Sequence, residues 1–280
     1  MNGYQEKITR IRAHLALEGA AGAVLSTPDN IFYATGFSSV MDGWHLVEPI
    51  AAVFVPTDSA SPVVLILPEA SVISPIVSER GGHPVHFDRL ATFDMLNFCE
   101  TARAEDAHLA LPDDLLAELG DVMEQVEGQC EPDIIQTIAA CVSRHISKAE
   151  RVLFDDLRVA ARVEALIGQA SGDALDVMFA ARAVKTADEI DTLRESGQIA
   201  DAIMGYTVSL LGVGKSWSEV EKQVAHFMID HDVDPLPGSP MLFGGAYDLV
   251  FRPDLFRTPV SRPFEGGEIA ILETQGRYKN

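Results

Sequence analysis

Two apolar runs rich in β-branched residues, Pro49 to Val55 and Val63 to Leu67, flank the polar stretch Pro56-Thr57-Asp58-Ser59-Ala60-Ser61-Pro62. Short apolar runs bounded by turn residues read as strands, and this spacing makes them an antiparallel pair. Before them, Ile8, Ile11 and Leu15 recur at helical spacing with Lys7, Arg10 and Arg12 between, and Gly19 and Gly22 follow as a stop. Ala23-Val24-Leu25 reads as a short buried strand. Pro28-Asp29-Asn30 is a turn and cap signal ahead of a short helix that closes on Gly36. After the pair, helical spacing resumes beyond Glu69. Val85-His86-Phe87 reads as a strand, Phe93 to Ala102 as a helix, His108 to Leu111 as a strand and Pro112 to Val126 as a helix. Strands separated by helices predict an α/β (α+β) unit with a mixed sheet.

From Gln136 to about Leu175 the pattern is long and helical, broken most clearly at Ser171-Gly172-Asp173. A domain junction is placed near Ala180, giving units 1–180 and 181–280. Thr186-Ala187-Asp188-Glu189 and Ser216-Trp217-Ser218-Glu219 both have capping-box spacing, in which hydroxyl and carboxylate each satisfy a free amide at a helix start. The first opens a helix whose inward face is read as Ile190, Leu193, Ala200, Met204, Val208 and Leu211. The second opens one with Val220, Val224, Phe227 and Met228 inward. Beyond Asp232 the texture turns to proline and glycine, and Gly244-Gly245 and Gly266-Gly267 are read as turns rather than phosphate cradles. Ile269 to Leu272 then forms an apolar run that reads as a strand without a partner, so the chain is expected to hold the first portion of a larger catalytic domain.

A length of 280 residues suits two cores. The formal charge of -21 repels phosphate backbones and anionic lipid, which argues against nucleic acid and membrane partners. Cys99, Cys130 and Cys141 show no CxxC spacing, so neither a disulfide framework nor a thiolate zinc site is suggested, and a cytoplasmic setting is expected. No apolar run approaches the roughly 20 residues that span a bilayer.

Three ordered segments carry a resemblance: Pro28-Asp29-Asn30-Ile31 through Thr35-Gly36-Phe37, Arg182-Ala183-Val184-Lys185-Thr186-Ala187-Asp188-Glu189-Ile190, and Pro263-Phe264-Glu265-Gly266-Gly267-Glu268-Ile269 through Leu272-Glu273. In order and spacing the chain resembles the creatinase, aminopeptidase P and prolidase superfamily. That resemblance implies a creatinase-type N-terminal domain followed by the first part of a pita-bread catalytic domain. It also implies a homodimer acting on a small peptide or amide. Where members are metallopeptidases, it implies a pair of divalent ions (Mn, Co or Zn) held by two Asp, one His and two Glu.

The first of those ligand positions falls at Glu273, where the family has Asp. The extra methylene displaces the carboxylate by more than the few tenths of an ångström a metal site tolerates. Glu273 is therefore either a metal ligand, a catalytic or substrate-orienting carboxylate, or a residue that satisfies its neighbours. Between Phe243 and Glu268 there is no His where the peptidases carry a substrate-facing one. Arg252 and Asp254 are the polar residues of that region, while His226 and His231 precede it. Trp44 and His45 lie in the loop after Gly36, in a domain whose loops reach the neighbouring subunit's active site in this superfamily. The readings left open are an Xaa-Pro metallopeptidase, a metal-free creatinase-like hydrolase, and a non-catalytic dimerisation or binding module.

Overall fold

Why the first unit needs so many consecutive apolar residues becomes plain from its sheet, which is buried on both faces. The computed structural model describes residues 3–39, 41, 48–95, 112–212, 214–236, 238–245 and 263–278. The chain divides into two compact units, Met1–Thr186 and Ala187–Asn280. In the first unit, α1 (Gly3–Leu17), β1 (Gly22–Leu25), α2 (Pro28–Thr35), β2 (Ala52–Pro56), β3 (Val64–Pro68), α3 (Ser74–Arg80), β4 (Arg89–Phe93), α4 (Asp113–Met123), α5 (Ile134–His145), β5 (Val152–Phe154), α6 (Leu157–Ile167), β6 (Ser171–Asp173) and α7 (Leu175–Ala183) follow in order.

The strands form one six-stranded mixed sheet in the order β4-β3-β2-β1-β5-β6. β1–β2 and β2–β3 are antiparallel, while β1–β5, β3–β4 and β5–β6 are parallel. Side chains alternate strictly between two cores. Ala23, Leu25, Val53, Val55, Leu65, Leu67 and Leu153 meet α1, α2 and α7 on one face. Val24, Ala52, Phe54, Val64, Ile66, Val152 and Phe154 meet α5 and α6 on the other. A strand covered on both faces has no polar side, hence the uninterrupted apolar runs.

The C-terminal ends of β1 and β5 are joined by one carboxylate. Asp155 accepts hydrogen bonds from the Ser26 amide (2.7 Å) and hydroxyl (3.1 Å), the Thr27 amide (3.1 Å) and hydroxyl (2.6 Å), and Asn30 Nδ2 (2.9 Å). Asn30 Oδ1 in turn accepts from Arg182 Nη1 at 3.0 Å, and the Tyr33 hydroxyl donates to the Ala181 carbonyl at 2.8 Å, tying α2 to α7. Thr27 is the N-cap residue of α2 and makes no side-chain cap, because its hydroxyl is committed to Asp155. Gly36 closes α2 with φ 77°, and a Cβ there would meet the Pro84 carbonyl oxygen at 2.7 Å.

Several expected elements are corrected. Val85-His86-Phe87 is not a strand: the His86 amide donates to the Thr35 carbonyl (2.8 Å) and sheet pairing starts at Arg89. Phe93 ends β4 rather than opening a helix, and the remainder of the expected helix to Ala102 and strand 108–111 lies outside the described residues. Within the long helical stretch from Gln136, β5 interrupts as the parallel neighbour of β1, and 171–173 is the edge strand β6.

The second unit holds α8 (Ala187–Leu210), α9 (Trp217–Ile229), β7 (Val233–Pro235), β8 (Met241–Gly245), β9 (Ile269–Glu273) and β10 (Gly276–Tyr278). The face of α8 matches the expected one only at its end, where Leu211 packs partly buried against the core. Ile203, Thr207 and Leu210 are buried, while Ile190, Leu193, Met204 and Val208 are 39–65% exposed. The last strand also has partners: β9 pairs antiparallel with β8, and β10 with β7. Gly244-Gly245 thus sits in a strand, whereas Gly267, with φ 91°, does make the expected turn.

All five donors on Asp155 need an acceptor, which a carboxylate is on every side and an amide is not. Asp155→Asn is therefore expected to lose nearly as much stability as Asp155→Ala, about 3 kcal/mol. A lowered denaturation midpoint by circular dichroism tests this; a midpoint unchanged in Asp155→Asn contradicts it.

Candidate functional site

The ribbon of β8 and β9 positions Glu273. Its foundation is the capping box of α9, in which Ser216 Oγ accepts from the Glu219 amide (3.2 Å) and Glu219 Oε2 accepts from the Ser216 amide (2.9 Å). The Ser216 amide, and after it the Ser216 hydroxyl, which donates to the same oxygen at 2.7 Å, hold the Glu219 carboxyl below the usual carboxylate range. α9 buries Trp217, Val220, Val224 and Met228 in a core that includes Ile203 and Leu210 of α8. Trp217 tilts against Phe264 with ring centroids 4.3 Å apart, and Tyr206 stacks on Phe227 at 4.3 Å.

β9 alternates across the ribbon. Ala270 and Leu272 pack toward this core, while Ile269 (52% exposed), Ile271 (37%) and Glu273 share the open face. Backbone register puts Glu273 opposite Met241 and Leu272 opposite Leu242. Glu273 Oε1 accepts from Gln275 Nε2 at 2.9 Å. Glu221 reaches from α9 to the ribbon, its Oε1 accepting from the Leu242 amide at 2.9 Å. Half-buried there, it has its pKa raised by loss of water, with the Leu242 amide opposing the shift.

Trp44, His45 and Arg252, and with them Asp254, lie outside the described residues. His226 is exposed on α9, and His231 stacks on Phe227 at 4.0 Å with Nδ1 2.8 Å from the Phe227 carbonyl oxygen. Neither is brought to Glu273 by a hydrogen bond or ion pair among those described. Among the described residues, the one group of three His, Cys, Asp or Glu donors within reach of a single ion is Glu127, Cys141 and His145, in the first unit. The described residues around Glu273 therefore do not make the five-ligand centre that the resemblance implies. The Glu127 cluster was not anticipated. Only the i, i+4 spacing of Cys141 and His145 hinted at it, and Glu127 comes from a distant loop.

The fold has close counterparts among solved structures. A prolidase from Thermococcus sibiricus superposes with TM-score 0.63 at 16% identity, covering 100% of this chain and 63% of that one. The chain has the prolidase fold. A dipeptidase from Mycobacterium ulcerans (TM-score 0.63, 16% identity, 99% of this chain and 61% of that one) and an X-Pro aminopeptidase from Thermotoga maritima (0.60, 11%, 97% and 61%) agree. The chain spans about three fifths of the length of these proteins. No family model matches the sequence, and no curated protein does. Among the described residues, no helix is long and apolar enough to cross a membrane.

The raised pKa of Glu221 has a sign. The folded state favours its protonated form, so its contribution to stability is full below the ordinary carboxylate pKa of 4.5 and is lost as pH rises through the folded value. Glu221→Gln keeps an oxygen for the Leu242 amide and carries no charge. Its stability relative to the parent should rise between about pH 4 and pH 7. Thermal melts followed by Trp217 fluorescence in a Trp44→Phe background check this, and a gap that does not widen with pH contradicts it.

Proposed function

We propose that this chain belongs to a C–N bond hydrolase acting on small peptides or amides, with Xaa-Pro dipeptides as the leading substrate class. In this reading 1–180 is a creatinase-type domain that dimerises, and 181–280 is the first part of a pita-bread catalytic domain. The observation that carries this reading is the prolidase fold over the whole chain, combined with a carboxylate on the open face of the β8–β9 ribbon.

That face offers two things to a substrate. Ile269 and Ile271 form an apolar floor suited to a proline ring, and Glu273 offers an anion to a substrate amine or N–H at its edge. A carboxylate can hold an ammonium by a charge-assisted hydrogen bond, or accept a proton from water that attacks the amide carbon. Divalent metal, if the complete protein uses it, would add Lewis-acid polarisation of the scissile carbonyl. Glu273 is the described residue at the ribbon available to it, and one carboxylate does not hold a pair of ions.

A second reading, a non-catalytic dimerisation or binding module, is favoured by the same donor set: Glu273 has a single described hydrogen-bond partner, Gln275. Equilibrium binding of a glycyl-proline dipeptide separates the two. The hydrolase reading expects measurable binding to this chain, weakened about tenfold by Glu273→Gln, equivalent to about 1.4 kcal/mol. It also expects no Mn²⁺-stimulated turnover by this chain alone. Absent binding favours the module, and metal-stimulated turnover overturns the account of Glu273.

A further inference from the structure

Three donors of different chemistry converge in the first unit and, unlike Glu273, are largely enclosed. Cys141 and His145 are four residues apart on α5 and so project from one helical face. Cys141 is 0% exposed, packed in the core that α5 shares with Phe54 and Val152. His145, in the last turn, stacks on the Phe54 ring with centroids 5.9 Å apart. Glu127 follows the isolated bridge between Leu90 and Val126, and its amide donates to the Leu90 carbonyl at 2.7 Å, which pins this loop residue to β4.

The Glu127 carboxylate lies 2.9 and 3.1 Å from His145 Nε2 and accepts from Arg144 Nη1 at 2.8 Å. Glu127 and His145 side chains are each 14% exposed, so the cluster has a narrow polar mouth over a buried thiol. The thiol sulfur, an imidazole nitrogen and a carboxylate oxygen all lie within 4.8 Å of one another.

We propose that Glu127, Cys141 and His145 bind one borderline-soft divalent cation, Zn²⁺ foremost, with a water at the fourth position. Sulfur, nitrogen and oxygen donors on three side chains are the set that zinc accepts in tetrahedral geometry. Bonds of about 2.0–2.3 Å place donors roughly 3.4–3.7 Å apart, so the Glu127–His145 contact opens and the sulfur closes in, by about an ångström at most. Glu127 and His145, at the mouth, can make most of this adjustment by moving toward the buried sulfur. Binding replaces the thiol S–H bond by a sulfur–metal bond and releases that proton to solvent, and the His145 Nε2 that now faces Glu127 gives up its hydrogen to ligate, the neutral ring keeping its one proton on Nδ1. Arg144 stays on the carboxylate as an outer partner that orients it. A cysteine nucleophile paired with His145 is the competing use of these residues, and the full burial of Cys141 denies it a substrate.

The test uses the full chain carrying Cys99→Ser and Cys130→Ser, stripped with chelator and titrated with Co²⁺. A thiolate-to-cobalt charge-transfer band in the near ultraviolet should saturate at one equivalent and disappear when Zn²⁺ is added. His145→Gln and Glu127→Gln, which leave the core thiol in place, should each weaken the apparent affinity at least tenfold, and Cys141→Ser should abolish the band. Far-ultraviolet circular dichroism confirms that each variant is folded. Absence of the band in the Cys99→Ser, Cys130→Ser protein, or affinity unchanged in both Gln variants, overturns the proposal.

Discussion

Strands covered on both faces must pair all their backbone groups with neighbours and turn every side chain into one of two cores, and β1 with its neighbours sits under that constraint. β1 is antiparallel to β2 and parallel to β5, and so is one of the two strands, with β3, at which the sheet changes direction. Where β1 and β5 end, the amides of buried Ser26 and half-buried Thr27 would be left without partners as the chain turns into α2. Asp155 supplies acceptors for both and for the side chains beside them. The same carboxylate sets Asn30, which engages Arg182 at the end of α7, so one residue after β5 aligns a strand end, a helix start and a helix end.

This explains which parts of the fold were legible in the sequence. The runs at 52–56 and 64–68 were long enough, apolar enough and bounded well enough to read as paired strands, and α1 showed its buried stripe at Ile8, Ile11 and Leu15. β5 was not legible, because three residues, Val152 to Phe154, are shorter than any period that separates strand from helix, and the helical patterns on either side absorbed them. β8 was hidden for a different reason. Its glycines resemble turn punctuation, and only pairing with β9 makes them strand residues. α8 carries two apolar stripes, and periodicity alone does not choose between Ile190-Leu193-Met204-Val208 and Ile203-Thr207-Leu210; packing against α9 does.

The candidate site was legible only in part. Its strand and the position of Glu273 followed from the ordered motifs, and the structure adds what spacing does not contain: that Glu273 shares its face with Ile269 and Ile271 and not with the core. A period of two says that alternate residues share a face but not which face is covered. That is settled by the helices behind the ribbon, through Trp217, Val220 and Val224.

Glu273 and Glu127 illustrate how surroundings rather than residue type assign a role. Glu273 is exposed, with one amide partner among the described residues, and there an ion pair or hydrogen bond is worth little until a substrate displaces water. An apolar floor beside it is what converts such a carboxylate into a binding group, since burying a proline ring also dries the neighbouring oxygen and strengthens any contact it makes. Glu127 is already enclosed, with a guanidinium and an imidazole against it. Its local attractions need no ligand to become strong, so a cation entering there must replace the direct Glu127–His145 contact with a better partner for each, while Arg144 stays on the carboxylate. Zinc can do so because it takes sulfur as well as oxygen and nitrogen, and it would exchange the hydrogen bond between the buried Cys141 thiol and Glu127 for a bond to each.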